Sequence, residues 1–347
     1  MPPAPLPVFD GHNDVLTRPD HAGIRAGRDG GHVDLPRMRA GHLRGGIFAI
    51  FSAAPDMTMT PTRQPDGSLA VPYPGRLDRR DAAAHATAVA GRLLALERAG
   101  AVRLGRTAED LDAAFDGGPP VAVMGLEGAE AIDEGLEALD TWYGAGLRVL
   151  GPVWSRPNAF ASGVPFVFPS SPDTGPGLTD AGRGLVRRCA ELGVLVDLSH
   201  LNEAGFWDVA ALEAGPLVAS HSGVHALCPA SRNLTDRQLD AIGATDGLVG
   251  IVYANKFLRA DFADADDTPL ARIVEHARYV RDRIGIAHVA LGSDFDGASV
   301  PAALGDVAGL PRLLDAFRAG GFDEDELAAV AWGNWRRVLG AWWDGAR

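Results

Sequence analysis

Thr179-Asp-Ala-Gly-Arg-Gly-Leu-Val-Arg-Arg-Cys-Ala-Glu-Leu-Gly193 runs directly into Val194-Leu-Val-Asp-Leu-Ser-His200. The first segment reads as an amphipathic helix: Thr179 is placed as N-cap, Leu185, Cys189 and Leu192 form an apolar stripe, and Gly193 stops it. The second reads as a strand, Val194–Leu198, whose unbroken apolar run suits a parallel strand buried on both faces. The unit repeats in both directions from here. Strands are predicted at Pro7–Asp10, Gly46–Phe51, Val121–Leu126, Leu147–Val153, Leu217–Ser220, Leu248–Tyr253 and Val289–Ser293. Helical patterns lie between them; in the segment from Leu270 to Ile284, Leu270, Ile273, Val274, Ala277 and Ile284 share one face. Further helical patterns, from about Leu304 to Trp343, follow the last strand. Strands alternating with helices imply a parallel sheet, and eight of them imply an α/β fold of the (β/α)8 TIM-barrel type. The alternative, an open doubly wound sheet, would carry a Gly-x-Gly-x-x-Gly turn after the first strand, and this chain has none there.

A barrel of this type commonly exceeds about 250 residues as one domain, so residues 1–347 are read as a single barrel with long βα-loop insertions. Two connections are long and rich in Pro and Gly, Ala53–Asp78 after strand two and Ser155–Gly177 after strand four. Both leave strand C-termini, the face on which barrel active sites sit, although plain surface insertion is the competing reading. The net charge of −13, from 32 basic and 45 acidic residues, argues against nucleic acid or an anionic membrane as partner. Two cysteines, Cys189 and Cys228, are too few for a disulfide scaffold or a thiolate zinc cluster. The beginning of the chain has no basic segment followed by an apolar run, and no apolar stretch approaches the roughly 20 residues of a membrane span. A cytoplasmic protein is expected, and a homodimer stays open.

Polar residues of metal-binding type fall where the strands end. His12 and Asp14 follow strand one, Glu127 ends strand three, His200 strand five, His221 strand six and Asp294 strand eight. Residues far apart in the chain are thereby predicted to meet on one rim. His12 and Asp14 have the i, i+2 spacing that points two side chains of an extended segment the same way, and imidazole with carboxylate suits zinc or a similar divalent ion. Alone, the pair is equally a capping Asp beside a surface His, and each histidine alone could be an ordinary core or rim residue. Taken together with Glu127, the set reads as a metal site. A central carboxylate can bridge two ions, one oxygen to each. Some two-metal barrels use a carbamylated lysine at strand four instead, but the sole lysine here, Lys256, follows strand seven, which leaves Glu127 as the bridge.

These residues stand in motifs that resemble the membrane (renal) dipeptidases, zinc peptidases within the amidohydrolase-like barrel class. The motifs are Asp10-Gly-His-Asn-Asp14, Gly125-Leu-Glu-Gly128, Gly177-Leu-Thr-Asp-Ala-Gly182, Gly193-Val-Leu-Val-Asp-Leu-Ser-His200, Ser220-His-Ser222, Ser231-Arg-Asn233 and Gly292-Ser-Asp-Phe-Asp-Gly297. The resemblance implies two Zn2+ ions bridged by Glu127, one also held by His12 and Asp14, the other by His200 and His221. It further implies that Arg232 binds the terminal carboxylate of a dipeptide, a task suited to bidentate guanidinium recognition. Asp294 would be the catalytic acid/base, and Tyr253 a residue lining the pocket. One position departs from the family: where a histidine commonly follows strand four to polarise the scissile carbonyl, this chain has Trp154. An indole donates one N–H and cannot carry a proton, so Trp154 is read as a pocket wall.

The implied reaction is hydrolysis of a small dipeptide by metal-activated hydroxide. Trp154 and the altered loop behind it keep open a second reading, hydrolysis of another small amide such as an N-acyl amino acid or a lactam. A non-catalytic ligand-binding barrel would predict a damaged metal set, and no damage is visible. The pairs Ser199-His200 and Ser220-His221 do not make a serine hydrolase: no Gly-x-Ser-x-Gly elbow exists, and adjacent strand residues point to opposite faces.

Overall fold

In a computed structural model describing residues 5–54 and 57–345, the repeated unit forms as the sequence predicts. Eight strands make up the barrel: β1 (Val8–Asn13), β2 (Leu43–Phe51), β3 (Val121–Glu127), β4 (Leu147–Gly151), β5 (Leu195–Val196), β6 (Val218–Ser222), β7 (Leu248–Ile251) and β8 (Val289–Leu291). Strands β1 to β5 pair in parallel in that order, and β6 to β8 likewise. Two single parallel bridges, Asp197 with Val218 and Asn13 with Phe295, join the two arcs into a ring. β1 runs three residues past its predicted end and takes His12 into the strand itself. β5 is shorter than predicted, two residues against five, because only Leu195 and Val196 keep ladder pairing with β4.

The helix between β4 and β5, Asp180–Leu192, has the predicted ends. Thr179 Oγ1 accepts the Gly182 N–H at 3.0 Å, and Gly193 turns out of the helix at φ +73°. Such a cap is typically worth about 1 kcal/mol. Leu185, Val186 and Cys189 are buried against the barrel.

Inside the ring, Phe9, Ile47, Val123, Val149, Leu195, Val218, Leu248 and Ala290 form a separate apolar layer with Trp332 and Trp335. Phe9 packs at 5.7 Å on Trp332 and 5.6 Å on Trp335, and the Trp335 indole donates to Leu291 O at 2.9 Å. The layer fills the barrel from the end opposite the site and leaves the C-terminal rim as the open face. Close packing here explains Gly11: a Cβ on it would lie 2.5 Å from both Ser220 O and the Trp335 ring. The residue before His12 therefore has no room for a side chain.

The two long connections are not independent insertions. Thr62–Arg63 and Leu69–Ala70 from the first form an antiparallel three-stranded patch with Val167–Phe168 from the second. Val71 N donates to Phe166 O at 2.9 Å and Tyr73 Oη to Gly163 O at 2.6 Å. The loops thus brace one another above the rim. Among the described residues no helix is long and apolar enough to cross a membrane.

One buried histidine outside the cluster at the strand ends is expected to make the fold acid-sensitive. His276, on helix Ala271–Ile284, accepts the Val224 N–H at Nδ1 (2.9 Å) and faces Leu258 O through Nε2 (3.2 Å). Burial pushes its pKa down to about 4 from 6.5. Accepting at Nδ1 requires the neutral ring, so protonation breaks the bond to Val224. The unfolded chain binds the proton first as pH falls, so this contribution is complete above about pH 6.5 and is lost toward pH 4, at most roughly 3 kcal/mol. Urea titrations at pH 7 and pH 4.5 should therefore show a larger stability loss for the parent protein than for His276→Gln. Equal losses would remove His276 from the account.

Candidate active site

The end of β1 presents His12 and, just beyond the strand, Asp14; their Nε2 and Oδ2 atoms are 3.4 Å apart. Glu127, the last residue of β3, reaches the barrel axis between the histidines. Its Oε2 lies 3.7 Å from His12 Nε2, while its Oε1 lies 2.9 Å from His200 Nε2 and 3.6 Å from His221 Nε2. One glutamate oxygen therefore faces each side of the site. All five side chains are buried, and they form two overlapping donor groups that share Glu127: His12, Asp14 and Glu127, and Glu127, His200 and His221.

The donors are arranged for a cation. His12 Nε2 and Asp14 Oδ1 are buried with no hydrogen-bond partner among the described residues, a costly state for groups that ordinarily find partners. His200 Nε2 and His221 Nε2 face one another at 3.1 Å. Burial first, then the Arg232 charge on His200 and the His12 charge on His221, hold both pKa values well below 6.5. Both rings are therefore neutral, as metal ligation requires. Burial opposes charge on His12 as well, but Glu127 and Asp14 beside it push its pKa up to about 10. Burial raises Glu127 well above the ordinary carboxylate value, against the pull of His12. Protons on these groups offset a charge imbalance that divalent cations would relieve.

Groups behind the histidines fix which nitrogen faces inward. Asp197 Oδ2 accepts the Ser220 hydroxyl at 2.5 Å, and Ser220 Oγ lies 2.8 Å from His221 Nδ1. Since that hydroxyl proton is given to Asp197, Nδ1 must carry the hydrogen toward Ser220, which leaves the Nε2 lone pair free. Asp197 Oδ1 accepts from Ser199 Oγ (2.6 Å), Ser199 N (3.1 Å) and Ser220 N (2.9 Å), so this carboxylate is committed to holding its neighbours. Ser155 Oγ stands 2.9 Å from His200 Nδ1 in the corresponding position. Sequence reasoning gave these residues no role. The available signal was Asp197 itself, a carboxylate inside an otherwise apolar strand segment.

Asp294 follows β8 at φ +60°, its N–H donating to His12 O at 3.0 Å. A Cβ on Gly297 would lie 2.2 Å from Asp14 Oδ2 and 2.3 Å from Asp294 Oδ1, so the glycine keeps open the space both carboxylates face. Burial raises the Asp294 pKa to about 7, with His12 pulling it down and Asp14 pushing it up. Asp296 is different. Its oxygens accept from Arg28 at 2.7 and 3.2 Å and from the backbone N–H groups of His32 and Val33, which commits it to holding the loop after β1.

The site opens into a cavity of about 730 Å³. Arg232 lines it, buried, its guanidinium donating to Ser222 Oγ and His221 O at 2.8 Å each and standing 3.3 Å from His200 Nε2. Burial lowers its pKa to about 10, so it stays cationic at neutral pH. Trp154 also lines the cavity, 5.8 Å from the His200 ring and packed on Phe51 (5.0 Å) and Phe166 (5.6 Å). Arg156 supports this wall from behind, paired with Glu130 at 2.7 Å and lying against the Phe51 and Trp154 rings. Tyr253 is not brought to the cavity. It is 1% exposed and packs edge-on against Phe295 at 5.6 Å, beside Asp294, and its backbone N–H donates to Ser293 O at 3.2 Å.

The model of the family described as membrane dipeptidase (peptidase family M19) matches residues 4–344. Two crystal structures align with TM-scores of 0.91 at 44% identity: a metallo peptidase described as dipeptidase AC, over 98% of this chain and 99% of that one, and a metallo peptidase of Rhodobacter sphaeroides, over 97% and 99%. The second is described as liganded with a phosphinate mimic of the dipeptide L-Ala-D-Ala. A Klebsiella pneumoniae protein, described only as uncharacterized and lying in the pqqA 5′ region, is 49% identical over 71% of this chain and 90% of its own length.

Proposed function

The chain belongs to the membrane dipeptidase family of metallopeptidases, peptidase family M19, and from that premise we propose that it hydrolyses free dipeptides using two zinc ions that share Glu127. The observation that carries the proposal is the placement of Glu127, one oxygen toward His12 and the other toward His200 and His221. Two unpartnered buried donors, His12 Nε2 and Asp14 Oδ1, add to it. Borderline-soft zinc suits a set of imidazoles and carboxylates. When bound, such ions supply Lewis acidity and bring the pKa of water from 15.7 toward about 7.

The protein's own residues do the rest. Asp294 takes a proton from the attacking water and returns it to the leaving amine; burial holds its pKa above the ordinary carboxylate value, which strengthens it as a base. Arg232 holds the C-terminal carboxylate of the substrate. A longer peptide would put an amide at that place, which selects dipeptides. Trp154 and Phe166 wall the cavity and exclude water near His200. The phosphinate dipeptide mimic bound to the Rhodobacter sphaeroides relative supports an L-residue followed by a D-residue as the first substrate to try.

Trp154, in place of the family histidine, favours one second reading: a blocked small amide, an N-acyl amino acid or lactam, as the better substrate. Steady-state assays on metal-quantified enzyme separate the two. L-Ala-D-Ala should be turned over well and N-acetyl-D-Ala poorly; preference for the blocked compound would overturn the dipeptidase reading. Arg232→Met gives an independent check. Removing one partner of a buried charge pair costs about 2–5 kcal/mol, so kcat/KM for a dipeptide should fall by roughly 30-fold or more. Hydrolysis of the same dipeptide as its C-terminal amide should be little affected. Equal losses on acid and amide would mean that Arg232 does not read the carboxylate.

A further inference from the structure

Arg28 is a buried cation that the proposed reaction does not use. It lies between β1 and the helix Leu35–Ala40, its side chain only 1% exposed, and it is not one of the described residues that line the cavity. A guanidinium has five N–H donors in a rigid fork, and here every one is engaged. Nε and Nη2 donate to Asp20 at 3.0 and 2.8 Å, and Nη1 to Val33 O at 2.8 Å. Nη1 and Nη2 also donate to the two oxygens of Asp296 at 2.7 and 3.2 Å. Asp20 is open to solvent, but the Asp296 side chain is wholly buried. The Arg28–Asp296 pair thus ties the connection after β1 to the turn after β8, across 268 residues of chain. Its anchor is firm: the Arg28 N–H donates at 3.1 Å to Asp34 Oδ2, and Asp34 caps the helix Leu35–Ala40.

The turn held in this way is the one that carries Asp294. Asp294 and Asp296 both have left-handed backbones, φ +60° and +69°, on either side of Phe295. Two such residues so close together are costly, and they persist only where the surroundings fix them. Phe295 O accepts the Asp14 N–H at 2.8 Å, and the Asp294 N–H donates to His12 O, which sets the first half of the turn against β1. The second half is set by Asp296, whose carboxylate takes Arg28 and the N–H groups of His32 and Val33, and whose own N–H donates to His32 Nδ1 at 2.8 Å. We propose that Arg28 is a positioning residue: through Asp296 it holds this turn in the left-handed form that faces the Asp294 carboxylate into the site. The proposal rests on the proton-transfer role given above to Asp294.

The test measures kcat, KM and metal content with L-Ala-D-Ala on zinc-loaded enzyme, with and without Asp294→Asn. A misplacement of about 1 Å caused from outside the reacting groups can cost roughly 10²-fold. Arg28→Met should therefore lower kcat by roughly 10- to 100-fold, with KM and metal content close to those of the parent. In the Asp294→Asn background the same substitution should change kcat by less than about twofold, because the group that Arg28 positions no longer moves a proton. Arg28→Met leaves the Asp296 carboxylate buried without its cation, which can prevent folding. Arg28→Met/Asp296→Asn leaves no unpaired buried charge and should show the same kcat loss and the same dependence on Asp294. Parent-like kcat in the Arg28 variants, a rise in KM alone, a loss that follows metal content, or an equal loss with and without Asp294→Asn would each overturn the assignment. Inactive Asp294→Asn beside fully active Arg28 variants sinks this proposal alone. Normal turnover by Asp294→Asn sinks the proton-transfer reading and takes this proposal with it.

Discussion

Asp294→Asn is expected to lower kcat by about 10²–10⁴-fold, the range typical of a positioned general acid–base, while metal content stays that of the parent. The substitution isolates the proton-transfer role for reasons visible in the site. Asn is among the few residues that tolerate the left-handed backbone, and position 294 sits at φ +60°. The Asp294 N–H to His12 O bond comes from the backbone and survives. The carboxylate is not one of the donors in either group that converges on Glu127, so its loss should leave the metal ligands in place. What Asn cannot do is accept a proton. A pH profile separates this from mere distortion. In the parent the base form of Asp294 is required, so activity should fall as pH drops through its pKa; burial sets that near 7 in the metal-free protein, and bound cations would draw it lower. In the variant that acid limb should disappear. Normal turnover by Asp294→Asn, or an unchanged acid limb, would reassign the proton transfer to another group.

Glu127→Gln is expected to have a still wider effect, because it changes the metal content as well as the rate. Glu127 directs one oxygen toward His12 and the other toward His200 and His221. A glutamine of the same shape keeps a single acceptor oxygen and turns an NH2 group toward the other side, where it meets ligand nitrogen or a cation. It can therefore serve one half of the site and opposes occupation of the other. The variant should retain at most one tightly held ion per chain. Loss of the shared carboxylate should cost several kcal/mol of transition-state stabilisation, roughly 10³-fold or more in kcat/KM. Metal analysis after dialysis against a weak chelator, alongside steady-state assays, checks both parts. A Glu127→Gln protein holding the parent's metal complement would mean that Glu127 is not shared.

The sequence made the site legible through one regularity: His12, Glu127, His200, His221 and Asp294 each stand at or just past the end of an apolar strand run, and a barrel brings those ends to one rim. Residues that work from within or behind the strands gave no such signal. Asp197 lies in the run Val194-Leu-Val-Asp-Leu198, and only the folded ring places it under Ser199 and Ser220. Tyr253 shows the converse. It lies close to a strand end in sequence, but in the folded ring its side chain is buried edge-on against Phe295. The bracing of the two long loops was likewise out of reach, since two-residue strands such as Thr62–Arg63 have no periodicity to read and exist only through their partners. Lys256 could be singled out as the only lysine, but its burial and its pairing with Asp264 at 3.8 Å are properties of the assembled cavity.

The shared glutamate is tested most directly by anomalous diffraction at the zinc edge from crystals of the zinc-loaded protein. The account predicts two peaks about 3.5–4 Å apart, the separation usual in two-metal sites. One should be bordered by His12 and Asp14, the other by His200 and His221, with one Glu127 oxygen directed to each. A single peak, or two peaks with Glu127 bound to only one of them, would contradict it.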